Sequence, residues 1–386
     1  NWDAFLTNVT KATKMFYRCI NPDFTWKFAM KFFPMVTGEW EMREMYKYAQ
    51  LKEQTDYETD GITATNGYAV AQYDYGTCPF EGTNLKYVKS ITLTNTAGCN
   101  GLFRKSNLVK IGEIICTGTN TWGGFSDTFR DCKLLEEVGT LRSTKYSSTG
   151  TNSIETHSTF AYCSKLIKIG EFDVSSNGCS GTYRECTSLT SENLVLPRMV
   201  DVNSMEGIFW GDTLLTTIHL PDLSENMLNL SNLNHAFREC RNLESITIGG
   251  NTLPKTITGM NSTYWKDYKL KNVIPIPNDL IYDLNMQSCC GYCDALTDDT
   301  IYTVIPFKVT NIGYMYEYCK GLVNPSVEVK SDNVYTRQMF QYCTNITSLN
   351  VNFSGRLLRN AQYFAQYCNN LDTVTFKFPD SLVMHD

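Results

Sequence analysis

Apolar residues recur three apart along most of this chain. In "TFAYCSKLIKIGEF" (residues 159–172) the marks are Phe160, Cys163, Leu166 and Ile169. In "HAFRECRNLESITI" (residues 235–248) they are Phe237, Cys240, Leu243 and Ile246. At the end of the second stretch Ile246 and Ile248 alternate with Ser245 and Thr247, the period of a strand with one buried face. The pattern predicts strands over residues 217–220, 245–248 and 373–376, each preceded by a turn that carries the aromatic and the cysteine.

Aligned on the cysteine, the same frame returns many times. Phe129, Cys132, Leu135 and Val138 form one rung, and Tyr183, Cys186 and Leu189 another. Phe209, Asp212, Leu215 and Ile218 keep the frame with an aspartate in the slot, as do Tyr264, Asp267, Leu270 and Val273. Cys293 with Leu296, Tyr316 with Cys319 and Leu322, and Phe340 with Cys343, Ile346 and Leu349 continue it. Cys368, Leu371 and Val374 close it, with Phe364 displaced by one residue. Upstream, "LFRKSNLVKIGEI" reads as the same frame with one residue deleted at the cysteine. The steps between slots run from 23 to 31 residues and average about 26, inside the leucine-rich-repeat range.

A strand of this kind cannot bury its apolar face alone, and stacking the next coil about 4.8 Å away covers it. The expected fold is therefore a repeat solenoid of leucine-rich-repeat type, right-handed, with one short parallel strand per coil. It would span residues 80–386 in about eleven to twelve coils. Residues 1–79 read as a degenerate coil, because Phe16 and Cys19 keep the spacing. A helix is expected over residues 39–53 and a turn-rich linker over 57–68.

The 386 residues include fifteen cysteines, and eight of them (Cys132, Cys163, Cys186, Cys240, Cys293, Cys319, Cys343 and Cys368) share the one slot. Cysteine there acts as a small buried hydrophobe. That reading is preferred to disulfides between neighbouring coils and to a ladder of metal ligands, since Asp212 and Asp267 take the same place.

These residues resemble the BspA-like leucine-rich repeat family, whose coils read roughly V-T-x-I-G-x-x-A-F-x-x-C-x-x-L-x-x-I-x-I-P. "VTNIGYMYEYCKGL" (residues 309–322) is the nearest match, and the resemblance covers about residues 80–380. It implies a surface or secreted binding protein of the adhesin type, found in gut and oral bacteria. Similar repeats occur in phage tail proteins, which makes a tail or virion component the alternative.

Charged residues make up 19% of the chain and the net charge is −6 with no basic block, which argues against a nucleic-acid partner. No apolar run approaches the length of a membrane span. The chain starts at Asn1 without a signal-like segment, and is read as a processed form or a fragment. Nothing matches a phosphate-binding loop, a nucleophile elbow or a zinc-protease helix, and the four histidines are scattered. The C-x-x-C of Cys290 and Cys293 lacks the second pair that a zinc site needs. No enzyme activity, cofactor or metal is expected.

Function is instead sought on the outer positions of the strands. Thr216, Thr217 and His219, then Glu244, Ser245 and Thr247, then Thr347, Ser348 and Asn350 would face a protein or glycan ligand. At the C-terminal end "TVTFKF" would present Val374, Phe376 and Phe378 on an open edge where another chain could dock.

Overall fold

The computed structural model describes residues 12–30, 44–55, 62–64, 78–94, 96, 98–118, 124–144, 154–200, 202–223, 229–250, 252–380 and 383–385. The chain divides into two compact units, Asn1–Val200 and Asp201–Asp386. Every strand pair in both is parallel, so each unit is a stack of β-solenoid coils.

In the first unit strand β1 (Ile20–Thr25) runs into a single helical turn, α1 (Trp26–Ala29), and pairs with β2 (Gln50–Lys52). Strand β3 (Ile62–Ala64) begins a five-stranded sheet that continues through β4 (Tyr87–Leu93), β5 (Lys110–Cys116), β6 (Glu137–Ser143) and β8 (Lys168–Asp173). Strands β7 (Ile154–Glu155), β9 (Ser175–Gly178) and β10 (Arg198–Met199) form a smaller sheet. The glycines of "KIGEIIC", "EVGTLRS" and "KIGEFD" stack on one another. A Cβ on Gly139 would lie 1.9 Å from the Gly112 carbonyl oxygen, and one on Gly170 would lie 2.4 Å from that of Gly139. The bare Cα lets successive backbones approach where the buried positions skip from a spacing of three to two.

In the second unit β11 (Thr217–Asp222) pairs with β12 (Ser245–Gly249). From Leu284 onward each coil contributes to two sheets. One contains β13 (Leu284–Asn285), β15 (Val309–Asn311), β17 (Asn333–Tyr335), β19 (Leu357–Arg359) and β21 (Val383–His385). The other contains β14 (Val304–Ile305), β16 (Ser326–Val329), β18 (Ser348–Phe353) and β20 (Thr373–Lys377). The expected strands at 217–220, 245–248 and 373–376 are thus present. The second strand of each coil is an addition to the expectation. It is two or three residues long, too short to show a period.

The helix expected over residues 39–53 does not form in its described part. Residues 44–48 make a turn, and β2 follows. Tyr46 stacks on Phe16 at 5.4 Å and on Phe80 at 4.9 Å, and Ala49 takes the slot position. Packing in the stack overrides helix propensity there. Within the linker expected over 57–68, residues 62–64 form strand β3; the rest lies outside the described residues.

The frame residues build the interior. Phe80, Phe103, Phe129, Phe160 and Tyr183 stack at centroid distances of 5.2 to 5.9 Å in the first unit. Phe209, Phe237 and Tyr264 do the same in the second. Phe129, Leu135, Phe160, Leu166, Phe237, Leu243 and Phe340 are all fully buried. All fifteen cysteines are free, and the slot thiols have a defined partner. Cys132 Sγ donates to the Phe103 carbonyl at 2.9 Å, Cys163 to Phe129 at 3.1 Å, Cys186 to Phe160 at 3.1 Å and Cys240 to Phe209 at 3.0 Å. Cys293, Cys319, Cys343 and Cys368 repeat this at 2.9 to 3.0 Å. The slot therefore holds a donor to the coil before it, and the purely hydrophobic reading is corrected. Upstream, Ser106 fills the slot and the missing residue falls after it, before Leu108.

A turn before each strand supplies the rest. Two residues four apart adopt the left-handed region, as at Ser158 (φ 52°) and Tyr162 (φ 65°). The N–H groups then alternate. Those of Ser158, Phe160 and Tyr162 reach carbonyls of the next coil at 2.7 to 2.9 Å, while Thr159, Ala161 and Cys163 close bonds within the turn. Each left-handed residue costs roughly 1–2 kcal/mol, and the hydrogen bonds between coils offset it.

Candidate functional site

The strand positions singled out in the sequence lie on the surface, and they bond along the stack. His219 Nδ1 and Thr247 Oγ1 are 2.8 Å apart on paired strands. Thr347 and Ser348 hydroxyls both donate to Asn324 Oδ1, at 2.8 and 2.7 Å, and Asn350 Nδ2 donates to Ser326 Oγ at 2.9 Å. Glu244 pairs with Lys271 at 2.6 Å, which holds its carboxyl below the ordinary value. Thr217 stands beside Ser245 in the register, and Thr216 is exposed just before β11. These side chains form two patches, one on the paired strands β11 and β12 and one on β18 and the residues before it, in which donors and acceptors already meet each other. Ile248, expected inside, is half-buried.

A second surface was not foreseen. Aromatic and cationic side chains next to the slots stack from coil to coil. The Arg238 guanidinium lies 4.7 Å from the Trp210 ring centre and 4.3 Å from that of Trp265. Trp265 meets Tyr292 edge-on at 5.5 Å. Tyr292, Tyr318, Tyr342 and Tyr367 then stack nearly parallel, at 4.4, 4.3 and 4.6 Å. The four tyrosines hold the second left-handed position of their turns, with φ between 60° and 63°. That conformation turns the side chain away from the interior. Partial burial, then Glu317 and Tyr318, push the Tyr292 phenol up to about 12. Its hydroxyl stays protonated at neutral pH. Tyrosine immediately before cysteine in "GYC", "EYC" and "QYC" was the available signal, but one position is outside the frame that defines the repeat.

A third feature is a groove of about 370 Å³ on the polar strands β13, β15 and β17 and their turns, reaching Arg359 of β19. Its lining includes the amides of Gln287, Asn311 and Asn333 and the rings of Tyr314 and Tyr335.

Cys290 and Cys293 are buried free thiols that fill the aromatic and cysteine slots of one coil. Towards the C-terminal end Val374 and Phe376 on β20 and Phe378 just after it are 46%, 43% and 46% exposed, and β20 pairs only with β18 among the described residues. No described helix is long and apolar enough to cross a membrane.

No protein-family model matches the chain. No curated protein matches it. Among solved structures the chain is similar to a leucine rich cell surface protein from Faecalibacterium prausnitzii, at 15% identity over 85% of this chain and 90% of that one, with a TM-score of 0.27.

Proposed function

We propose that this chain is a binding scaffold at a cell surface or outside the cell, and that the tryptophan–arginine–tyrosine ladder is its contact face for a protein or glycan. The ladder is the observation that carries the reading. Tryptophan, tyrosine and arginine dominate the energetic centres of binding interfaces, because they combine large apolar area with a polar handle and few rotatable bonds. Here they are held rigid before any partner arrives, which lowers the ordering cost of association. The strand patches, with hydrogen bonds already made along the stack, are the less available polar surface. The resemblance to BspA-like repeats supports the same reading.

The test is binding of the labelled chain to epithelial cells and to panels of immobilised glycans and extracellular-matrix proteins. The wild type binds at least one of these. The Tyr318→Ala/Tyr342→Ala double variant, with unchanged far-ultraviolet circular dichroism, binds it at least about tenfold more weakly. Equal binding by the variant would remove the ladder from the function.

A further inference from the structure

The groove on the polar strands has a chemistry of its own, and its residues are not those of the ladder. Three side-chain amides line it, from Gln287, Asn311 and Asn333. Each offers both donors and an acceptor, the combination that matches vicinal hydroxyls. Asn311 is already oriented. Its Oδ1 accepts the Gly313 N–H at 3.0 Å and its Nδ2 donates to Gln287 Oε1 at 3.3 Å. Two aromatic rings complete the walls. Tyr335 lies over the backbone at Gly313, where an added Cβ would meet the ring at 3.0 Å, so the bare Cα lets the ring sit close. Arg337 lies beside Tyr335 and 5.6 Å from the Tyr363 ring.

The remaining wall is Arg359, in register with Tyr335 across β17 and β19. It is exposed, and it makes no ion pair among the described residues. Among the described residues no lining side chain is acidic. The groove therefore combines polar amides, tyrosine faces and one uncompensated guanidinium. Amides suit hydroxyls, a tyrosine face suits the C–H face of a pyranose ring, and a guanidinium fork suits a carboxylate. A volume of about 370 Å³ is at the lower end of ligand pockets, the scale of one or two sugar rings.

We infer that this groove binds a hexuronate residue of an acidic polysaccharide, with Arg359 on the carboxylate, the amides of Asn311 and Asn333 on ring hydroxyls, and Tyr335 against the sugar face. A neutral sugar would leave Arg359 without a partner, and a simple carboxylate would leave the amides and the ring unused.

The experiment is calorimetric titration of the full chain with galacturonate and glucuronate tetramers, a galactose tetramer, and a peptide with a free C-terminal carboxylate. At least one uronate tetramer is expected to bind, at least about tenfold more tightly than the galactose tetramer and the peptide, and more weakly as salt rises. Arg359→Gln is expected to lose at least about tenfold, and Arg359→Lys to retain part of the affinity, since it keeps the charge and lacks the fork. Asn333→Ala, an exposed strand position, is expected to weaken binding several-fold with an unchanged melting curve. The Tyr318→Ala/Tyr342→Ala variant should bind uronate as the wild type does, which separates this site from the ladder. Failure of both uronate tetramers to bind overturns the inference. So does equal or tighter binding of the galactose tetramer or the peptide, or wild-type uronate affinity in Arg359→Gln.

Discussion

The thiol of Cys163 donates to the carbonyl of Phe129, 3.1 Å away and one coil back. Both groups are buried, so the bond satisfies an acceptor that water cannot reach. Cys163→Ala is expected to lower unfolding free energy by about 1–3 kcal/mol, because the carbonyl loses one of its two donors, the other being the Cys132 N–H, and the slot loses the sulfur's volume. Cys163→Ser should cost less than Cys163→Ala, since Ser106 already fills this slot two repeats earlier in the same unit. Chemical denaturation of the two variants decides it: serine as costly as alanine would mean that the slot needs apolar volume rather than a donor.

The thiols are also chemically silent while the chain is folded. Burial pushes Cys132, Cys179 and Cys319 up to about 12. Only Cys19 is not buried. Thiol titration at pH 8 should find at most one reactive group in the native protein. In denaturant without reductant it should find all fifteen. A lower denatured count would reveal disulfides.

Asp267 occupies the slot without the thiol's bond. Its carboxyl is fully buried, and neither oxygen has a hydrogen-bond partner of good geometry. Burial raises its pKa well above the ordinary 3.8, with the nearby Cys240 N–H pulling the other way and Glu239 adding to the rise. A raised folded pKa means that stability is full below the unfolded value and falls as pH rises through the interval between the two. Asp267→Cys should therefore be more stable than the wild type at pH 7, with the gap closing below pH 4. Thermal melts across that range check the sign; a gap that widens in acid would refute the buried neutral acid.

Gly139 sits where two backbones nearly touch. A methyl at this position would overlap the Gly112 carbonyl, 1.9 Å away, and neither strand can retreat without breaking its ladder. Gly139→Ala is expected to cost about 2–4 kcal/mol, far beyond the usual small effect of this change. A denaturation midpoint equal to the wild type's would show that the coils can slide.

The repeat was legible because each interior slot accepts one kind of side chain and lies three residues from the next. Phe160, Cys163 and Leu166 announce themselves through that spacing. The groove was not legible. Asn311, Asn333, Tyr335 and Arg359 lie on strands of three residues, and polar residues at one per coil leave no period. The helix expected over 39–53 failed for a related reason: Tyr46 and Ala49 were slot residues inside a segment with helix-forming composition. The ladder stood between the two cases, with a tyrosine visible before each of the last four slot cysteines and nothing in the spacing to prefer it.

The bond from each slot thiol to the carbonyl one coil back has a consequence for inheritance. In the coils whose slot holds cysteine, donor and acceptor occur in the same places, so one such coil can follow another. Excising residues 319–342 would join Tyr318 to Cys343 and set Cys343 against the Cys290 carbonyl that Cys319 now meets. Every interior partner would be restored by its counterpart. The length of this molecule is thus a quantity that unequal recombination can raise or lower in whole steps, each step leaving the fold intact and changing only how far the surface extends.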